Sequence, residues 1–242
     1  MAAGTKTLDR AISRAGLCSR TQARAAIAAG RVTVDGRCVR NPDTWVDPVR
    51  DRIAVDGAPL QARAREVWLL HKPVDYVTTA ADEHDRATVY ALLPADAAWL
   101  APVGRLDRDS SGLLLFTNDS DLAHAITAPA TKLPKTYLVR VKGAVDDADL
   151  QRLRDGIELP DGVTLPATVD RLDGDHRSTL LRFVLVEGRN RQIRRMITAI
   201  RSRVHTLHRT RVGPIALGDL AEGSCRRLDA AELRALRAAV RA

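Results

Sequence analysis

Gly104-Arg105-Leu106-Asp107-Arg108-Asp109-Ser110-Ser111-Gly112-Leu113-Leu114-Leu115-Phe116-Thr117-Asn118-Asp119 is the stretch from which the rest of this sequence can be read. Its first half is a polar loop rich in Asp, Arg, Ser and Gly. Its second half, Leu113 to Phe116, is an unbroken apolar run short enough for a buried strand. A buried strand makes a rigid wall, and the loop before it presents Asp107 between Arg105 and Arg108. Neighbouring guanidinium groups favour the ionised form of a carboxylate. Asp107 therefore reads as a charged group held near cations at the edge of a core. Physics alone leaves a second reading open, a turn with solvated ion pairs.

Downstream, Lys135-Thr136-Tyr137-Leu138-Val139-Arg140-Val141 alternates as a strand with Tyr137, Val139 and Val141 on one face. By pattern Tyr137 is a core tyrosine. Asp149 to Leu153 reads as a helix closed near Gly156, and Ala167–Leu172 and Leu180–Val186 as strands. Glu187-Gly188-Arg189-Asn190-Arg191-Gln192-Ile193-Arg194-Arg195-Met196 follows. Ile193, Met196, Ile197 and Ile200 fall at i, i+3, i+4 and i+7, so a helix buries that side. Arg189, Arg191, Arg194 and Arg195 crowd its start. A helix N-terminus is already positive and favours anions, so cations there cost stability. Four of them predict an anion site. Upstream, Val67-Trp68-Leu69-Leu70-His71-Lys72-Pro73 is an apolar strand ended by proline, and Thr88 to Pro94 reads as a short helix.

These strings together resemble the RNA pseudouridine synthases, in the RsuA/RluB branch that acts on ribosomal RNA. Gly-Arg-Leu-Asp followed by Ser-Gly-Leu-Leu-Leu-Phe-Thr-Asn-Asp is similar to the family's active-site motif, and its catalytic aspartate falls on Asp107. The Lys-Thr-Tyr string resembles the second motif, whose tyrosine stacks on the target base and falls on Tyr137. In the third motif the basic residue after Gln-Ile pairs with the catalytic aspartate, which implies Arg194. Arg209 to Pro214 and Leu217 to Leu220 match as well. The chain departs from the family at His71, usually Asn, at Val74-Asp75, where a glycine is usual after the proline, and at Arg201, also usually glycine. The last departure predicts a reshaped helix end.

The N-terminal part has its own pattern. Leu8, Ala11, Ile12 and Ala15 are spaced as a helix ended by Gly16, and Ser19 with Gln22 fits a capping box for a second helix running to Gly30. Arg10 with Arg14, and Arg20 with Arg24, lie four apart on helix faces. Val32-Thr33-Val34-Asp35-Gly36 predicts a strand and a hairpin turn. Ile53, Val55 and Asp56-Gly57 read as the unit's last strand. Ser19-Arg20, Ala23 and Gly30 to Gly36 resemble the RNA-binding domain first seen in ribosomal small-subunit protein four. A structural cap on the larger domain is the other reading.

Composition agrees. Net charge is +8, which suits a polyanionic partner. Residues 1–40 hold eight Lys or Arg against two Asp, and residues 189–211 hold eight Arg and no acid. Aromatics make up only 3% of the chain, so Leu, Val, Ile and Ala must build the core. Cys18, Cys38 and Cys225 form no CxxC pair, as expected of free thiols in a reducing compartment. No signal-peptide pattern opens the chain, and no apolar run nears the ~18 residues of a membrane span. Adjacent residues cannot easily converge on one ion, so Asp82-Glu83-His84-Asp85 reads as a solvated loop.

The expected architecture is α+β, with a small helix-and-hairpin RNA-binding domain over residues 1–60 and a linker over 61–66. A mixed, mainly antiparallel sheet flanked by helices forms the catalytic domain over 67–242. The expected function is isomerisation of a uridine in ribosomal RNA, with large-subunit RNA ahead of small-subunit RNA, and with neither metal nor cofactor. Asp107, Tyr137 and Arg194 form the expected catalytic set. The expected RNA contacts are Arg10, Arg14, Ser19, Arg20, Arg24, Arg31, Arg105, Lys135, Arg189, Arg191 and Arg195. The partner would be ribosomal RNA or a pre-ribosomal particle, and the protein a cytoplasmic monomer off the membrane. Asp107 could attack the anomeric carbon, attack ring carbon six or remove a ribose proton. A non-catalytic ribosome-assembly factor would account for the basic patches but not for Asp107, Tyr137 and Arg194 together. A metal-dependent nuclease would need a carboxylate cluster.

Overall fold

The computed structural model describes residues 4–80, 82–94 and 97–241. The chain divides into two compact units, one of Met1–Glu66 with Pro94–Ala101 and Thr117–Ser120, the other of Val67–Leu93, Pro102–Phe116 and Asp121–Ala242.

The first unit runs β1 (Lys6–Thr7), α1 (Leu8–Arg14), α2 (Arg20–Ala28), β2 (Val32–Val34), β3 (Arg37–Cys38), β4 (Trp45–Val46), β5 (Ile53–Val55) and β6 (Ala58–Pro59). The Ser19–Gln22 capping box starts α2 with both reciprocal hydrogen bonds. Leu8, Ile12, Ala23, Ile27, Val32 and Ile53 make a small core. Asp35-Gly36 turns β2 into β3, with both residues in the left-handed region that a tight hairpin demands. The expectation that β5 ends the sheet is corrected. Asp56-Gly57 makes a second turn of the same kind, and β6 pairs with β5. Residues 61–66 carry no regular structure. Their backbone is nonetheless held, since Glu66 N–H donates to Asn118 Oδ1 and Asn118 Nδ2 to Ala64 O, both at 2.8 Å.

The second unit contains β7 (Val67–Lys72), β8 (Ala101–Val103), β9 (Ser111–Thr117), α3 (Ser120–Thr127), β10 (Lys135–Lys142), α4 (Asp147–Asp155), β11 (Thr168–Gly174) and β12 (Ser178–Leu185). It ends with α5 (Gln192–Ala199), β13 (Val204–Val212), β14 (Ile215–Ala216), β15 (Cys225–Arg227) and α6 (Ala230–Ala239). The sheet order is β11-β12-β10-β13-β9-β7-β15, with β14 on β13 and β8 on β9. The pairs β10–β12, β10–β13, β11–β12 and β15–β7 are antiparallel, and β9 with β13 is parallel. The residues expected as a short helix at Thr88–Pro94 form only a 3-10 turn, Val89–Leu92. Pro94 lacks an N–H and biases the residue before it to extended backbone, so an α-helix cannot continue there.

Two cores flank the sheet. Val139, Val141, Leu181 and Phe183 pack with α4 and with the Ile193, Met196, Ile197 and Ile200 stripe of α5. Leu113, Leu115, Leu69, Ile126 and Leu236 form the other. The far end of α5 closes in a regular motif. Ser202 N–H donates to Ile197 O at 3.1 Å and Arg201 N–H to Thr198 O at 2.9 Å, the paired bonds of a Schellman ending. Arg201 occupies its left-handed position with φ +60°. A side chain is strained there and glycine is not. Arg201→Gly is therefore expected to stabilise the fold by roughly 0.5–1 kcal/mol, or about 1–4 °C in a melting experiment on a chain of this size. A lower melting temperature would contradict that.

Candidate active site

Asp107 is positioned by a close approach of two strands. Gly112 of β9 lies against β13, and a Cβ on it would sit 2.2 Å from Arg209 O and 2.6 Å from Arg209 N. Only glycine permits that approach, which lets His208 and Arg209 pair with Ser111 and Gly112. The loop preceding β9, with Asp107 on it, is thereby anchored at its C-terminal end.

Two buried cations hold the loop from below. The fully buried Lys72 ammonium, at the end of β7, donates to Pro73 O at 2.8 Å and Ser110 O at 2.7 Å. Burial pulls this ammonium down to about 8, while Asp109, Asp107 and Asp75 oppose the shift. Arg209, 6% exposed, donates from Nε to Leu113 O at 2.7 Å and more loosely to Arg105 O. On the flank, Thr78 Oγ1 donates to Leu106 O at 2.8 Å. Asp75, left-handed with φ +67°, donates its N–H to Arg108 O, and its carboxylate accepts from the Arg108 side chain. The departure at Val74-Asp75 thus becomes a brace on the loop that carries Asp107.

The start of α5 faces Asp107. Arg191 Nη1 lies 3.4 Å from Asp107 Oδ2, and its Nη2 lies 3.3 Å from Asp109 Oδ2. Arg194 is deeper, with its side chain 14% exposed against 46% for Arg191. Its Nη2 donates to Asp109 O at 2.9 Å and Ser110 Oγ at 3.2 Å. Its Nε is buried without a hydrogen-bond partner and stands 3.9 Å from Asp107 Oδ2. Burial pulls the Arg194 guanidinium below its usual value, Asp109 opposes this, and Arg191 adds to it. The expected pair of Arg194 with Asp107 is thus a close ion contact and not a hydrogen bond, and Arg191 is a second cation on the same carboxylate.

A cleft of about 340 Å³ opens above these groups, lined by Asp107, Tyr137, Arg105, Leu207, Arg191 and Arg194 among others. A register shift between Thr136 and Tyr137 interrupts the pairing of β10 with β13 just where Tyr137 joins the cleft. Bulges commonly re-aim a side chain beside a site in this way. Tyr137 also packs on the core with Val139 and Val141, so the residue meets both core and cleft.

The remaining expected contacts separate. Arg105 is exposed at the cleft rim, and Lys135 is partly buried. Arg189 spends its guanidinium on Gly162 O, Val163 O and Glu187, and Arg195 makes a two-pronged pair with Asp161 at 2.8 and 3.0 Å. The dense cationic cluster is therefore divided, two arginines bracing neighbouring loops and two facing the carboxylates. In the first unit Arg10 is exposed, Arg14 is partly buried and Ser19 caps α2. Arg20 and Arg24 meet on buried Asp9, and Arg31 pairs with Asp56. Burial pushes Asp9 up, but donation by Thr7, Arg20, Arg24 and the Arg10 N–H holds it down at about 2.

Lys72, Arg209, Asp75 and Asp109 did not stand out in the sequence as parts of the site. One signal was present for Arg209. It stands two residues after buried Leu207, on the inward face of β13, where an arginine needs partners. His208 lies beside the same close approach. It is half-buried, sharing a hydrogen bond with Ser111 Oγ and meeting the His71 ring edge-on.

The family model for RNA pseudouridylate synthase matches residues 66–199, and the model for the S4 domain matches residues 6–53. An RNA pseudouridine synthase of Mycobacterium leprae is 41% identical over 97% of this chain and 93% of its own length. The ribosomal large subunit pseudouridine synthase B of Bacillus subtilis is 35% identical over 96% of this chain and 95% of its own. A crystal structure of a pseudouridylate synthase superposes with a TM-score of 0.69 at 31% identity, covering 96% of this chain and 99% of that one. The loop–strand unit bearing Asp107, the tyrosine across the cleft and the arginine-rich helix start thus lie in a chain that belongs to the RNA pseudouridine synthase family, isomerases of uridine in RNA, and carries an S4 domain at its N-terminus.

Proposed function

We propose that this protein converts a uridine of ribosomal RNA to pseudouridine, with large-subunit RNA as the first choice and Asp107 as the reacting carboxylate. The observation that carries the reading is Asp107 in the cleft, between two arginines and across from Tyr137. Relatives in Bacillus subtilis and Shigella flexneri that align along nearly the whole chain are named ribosomal large subunit pseudouridine synthase B, which supports the choice of RNA. Cytoplasmic action on RNA or a pre-ribosomal particle, as a monomer, belongs to the same proposal.

The reaction is an internal exchange. The bond from ribose C1′ to uracil N1 breaks, the ring turns, and C1′ joins C5. C5 gives up its proton and N1 gains one, so no electrons or groups enter or leave. The chemistry needs no metal or redox cofactor. It needs a carboxylate at the sugar–base junction, cations that orient it, and a surface for the detached ring. Asp107, the pair Arg191 and Arg194, and Tyr137 match those needs. The uridine must leave its stack to reach Asp107, and Arg105 at the rim is placed to hold its phosphate or fill its gap. Arg10, Arg14, Arg20, Arg24, Arg31 and Lys135 complete the proposed backbone contacts, with Ser19 positioning α2. The occupied guanidiniums of Arg189 and Arg195 favour a bracing role.

Asp107→Asn keeps the shape of the loop and loses the charge. It is expected to bind RNA within a few-fold of wild type and to lose turnover by ~10³ or more, about 4 kcal/mol in the barrier. Tritium release from uridine labelled at C5 measures it, and near-normal release would end the assignment. Mapping pseudouridine in both ribosomal RNAs, with and without the protein, decides between the subunits.

Exposure ranks the two arginines. A half-exposed ion pair is worth little, whereas removing a cation from a drier site strands its partner. Arg194→Ala is expected to cost roughly a hundredfold in turnover, about 3 kcal/mol, with partial recovery in Arg194→Lys. Arg191→Ala should cost less. Single-turnover rates at saturating RNA make the comparison, and the opposite order would show that Arg191 is the partner that matters.

A further inference from the structure

Trp45 is the exposed tryptophan of the three in this chain. It is 53% accessible, while Trp68 is 9% and Trp99 partly buried. Its place is rigidly fixed. Thr7 lies directly opposite it across the β1–β4 pair, so the two side chains share a face. The backbone just before it is tied to the start of α1, since Leu8 N–H donates to Thr44 O at 2.8 Å and Asp9 N–H to Pro42 O at 3.2 Å.

Thr7, on that face, bonds to a carboxylate that orients two cations. Thr7 Oγ1 donates to Asp9 Oδ1 at 2.5 Å, and the other Asp9 oxygen accepts from Arg20 Nη2 at 2.8 Å and Arg24 Nη1 at 3.1 Å. Arg24 continues to Asp43, two residues before Trp45. Asp9 is buried, whereas the Arg20 and Arg24 side chains stay 53% and 43% exposed. Asp9 thus fixes two guanidinium groups while leaving part of each open to solvent. Arg10 adds a third exposed cation on α1. Cations already oriented lose little freedom when a ligand arrives. A flat aromatic surface beside such cations suits a base with its phosphate, because every base has a π-face and stacking tolerates any sequence.

We propose that Trp45, Arg20 and Arg24 form a binding site for one unpaired nucleotide of the RNA, the base stacking on the indole and its phosphate held by the two arginines. This rests on the reading of the protein as RNA-acting but assigns a site apart from Asp107. It makes the first unit a reader of single-stranded or bulged RNA, beyond a general attraction to phosphate.

The test uses the full chain and two probes, a short oligouridylate and an RNA duplex of equal length. The expected result is quenching of tryptophan fluorescence by the oligouridylate that is lost in Trp45→Ala. Trp45→Ala should also weaken oligouridylate binding roughly tenfold. Its salt dependence should stay the same, because no phosphate contact is removed. Trp45→Phe keeps an aromatic strand residue and should retain part of the affinity, which guards against a variant that fails to fold. Three results would overturn the proposal: unchanged wild-type fluorescence at saturation, unchanged affinity in Trp45→Ala, or an equal loss on duplex and single strand. The last would mark Trp45 as structural, and unchanged affinity would leave the face to a protein partner. Binding is read without turnover, so failure here is distinct from failure of the Asp107 assignment.

Discussion

The second unit depends on the contact between Gly112 and the backbone of Arg209. Without a Cβ at 112, β9 and β13 can pair in parallel at their nearest point. That pairing has two consequences for the site. It fixes the end of the loop carrying Asp107, and it brings Arg209 inward, where it donates to Leu113 O and reaches Arg105 O. Since β13 follows α5 in the chain, the strand that receives the loop is joined directly to the helix that faces it. The close approach thus links the carboxylate and its cations through neighbouring strand and helix.

Charge in this region is arranged by depth. Lys72 and Arg209 are buried and bond to backbone carbonyls, so they set the loop's shape. Arg194 is the next layer outward. It meets Asp109 and Ser110 and leaves its Nε 3.9 Å from Asp107. Arg191 and Arg105 are outermost, where solvent screens them more. A substrate that excludes water from the cleft would strengthen the inner contacts most, because the same charges interact more strongly at lower dielectric. Arg194 therefore has more to contribute in an occupied site than its separation in the empty one suggests.

The parts legible in the sequence were those set by local pattern. The apolar run before Thr117, the stripe on α5 and the capping box at Ser19 appear where periodicity and cap chemistry put them. What could not be read depends on partners far along the chain. Lys72 looked like the residue between a strand and a proline, and only its bond to Ser110 O, 38 positions away, reveals its work. The arginines of the third motif were indistinguishable by charge. The loop at 161–163 claims Arg189, and Asp161 claims Arg195. No spacing rule in the helix itself encodes that division. Asp56-Gly57 misleads for a different reason, since it reads as part of the last strand and the two-residue strand after it carries too little pattern of its own.

Three non-glycine residues in the left-handed region show how backbone strain is distributed around α5 and the loop. Asp75 and Arg191 both touch the loop that carries Asp107, the first through Arg108 and the second through Asp107 and Asp109. Strain of this kind persists where surrounding contacts over-determine it, and functional sites are common places for it. At Arg191 the left-handed turn comes immediately before the helix, so the residue stands outside the regular spiral at the helix start. Arg201 stands at the other end of α5, and its backbone bond belongs to the helix ending itself. The same conformational cost therefore has different meanings at the two ends of one helix. At the first it accompanies contacts to the site carboxylates. At the second it accompanies only the end of the helix, where a glycine would serve with less strain.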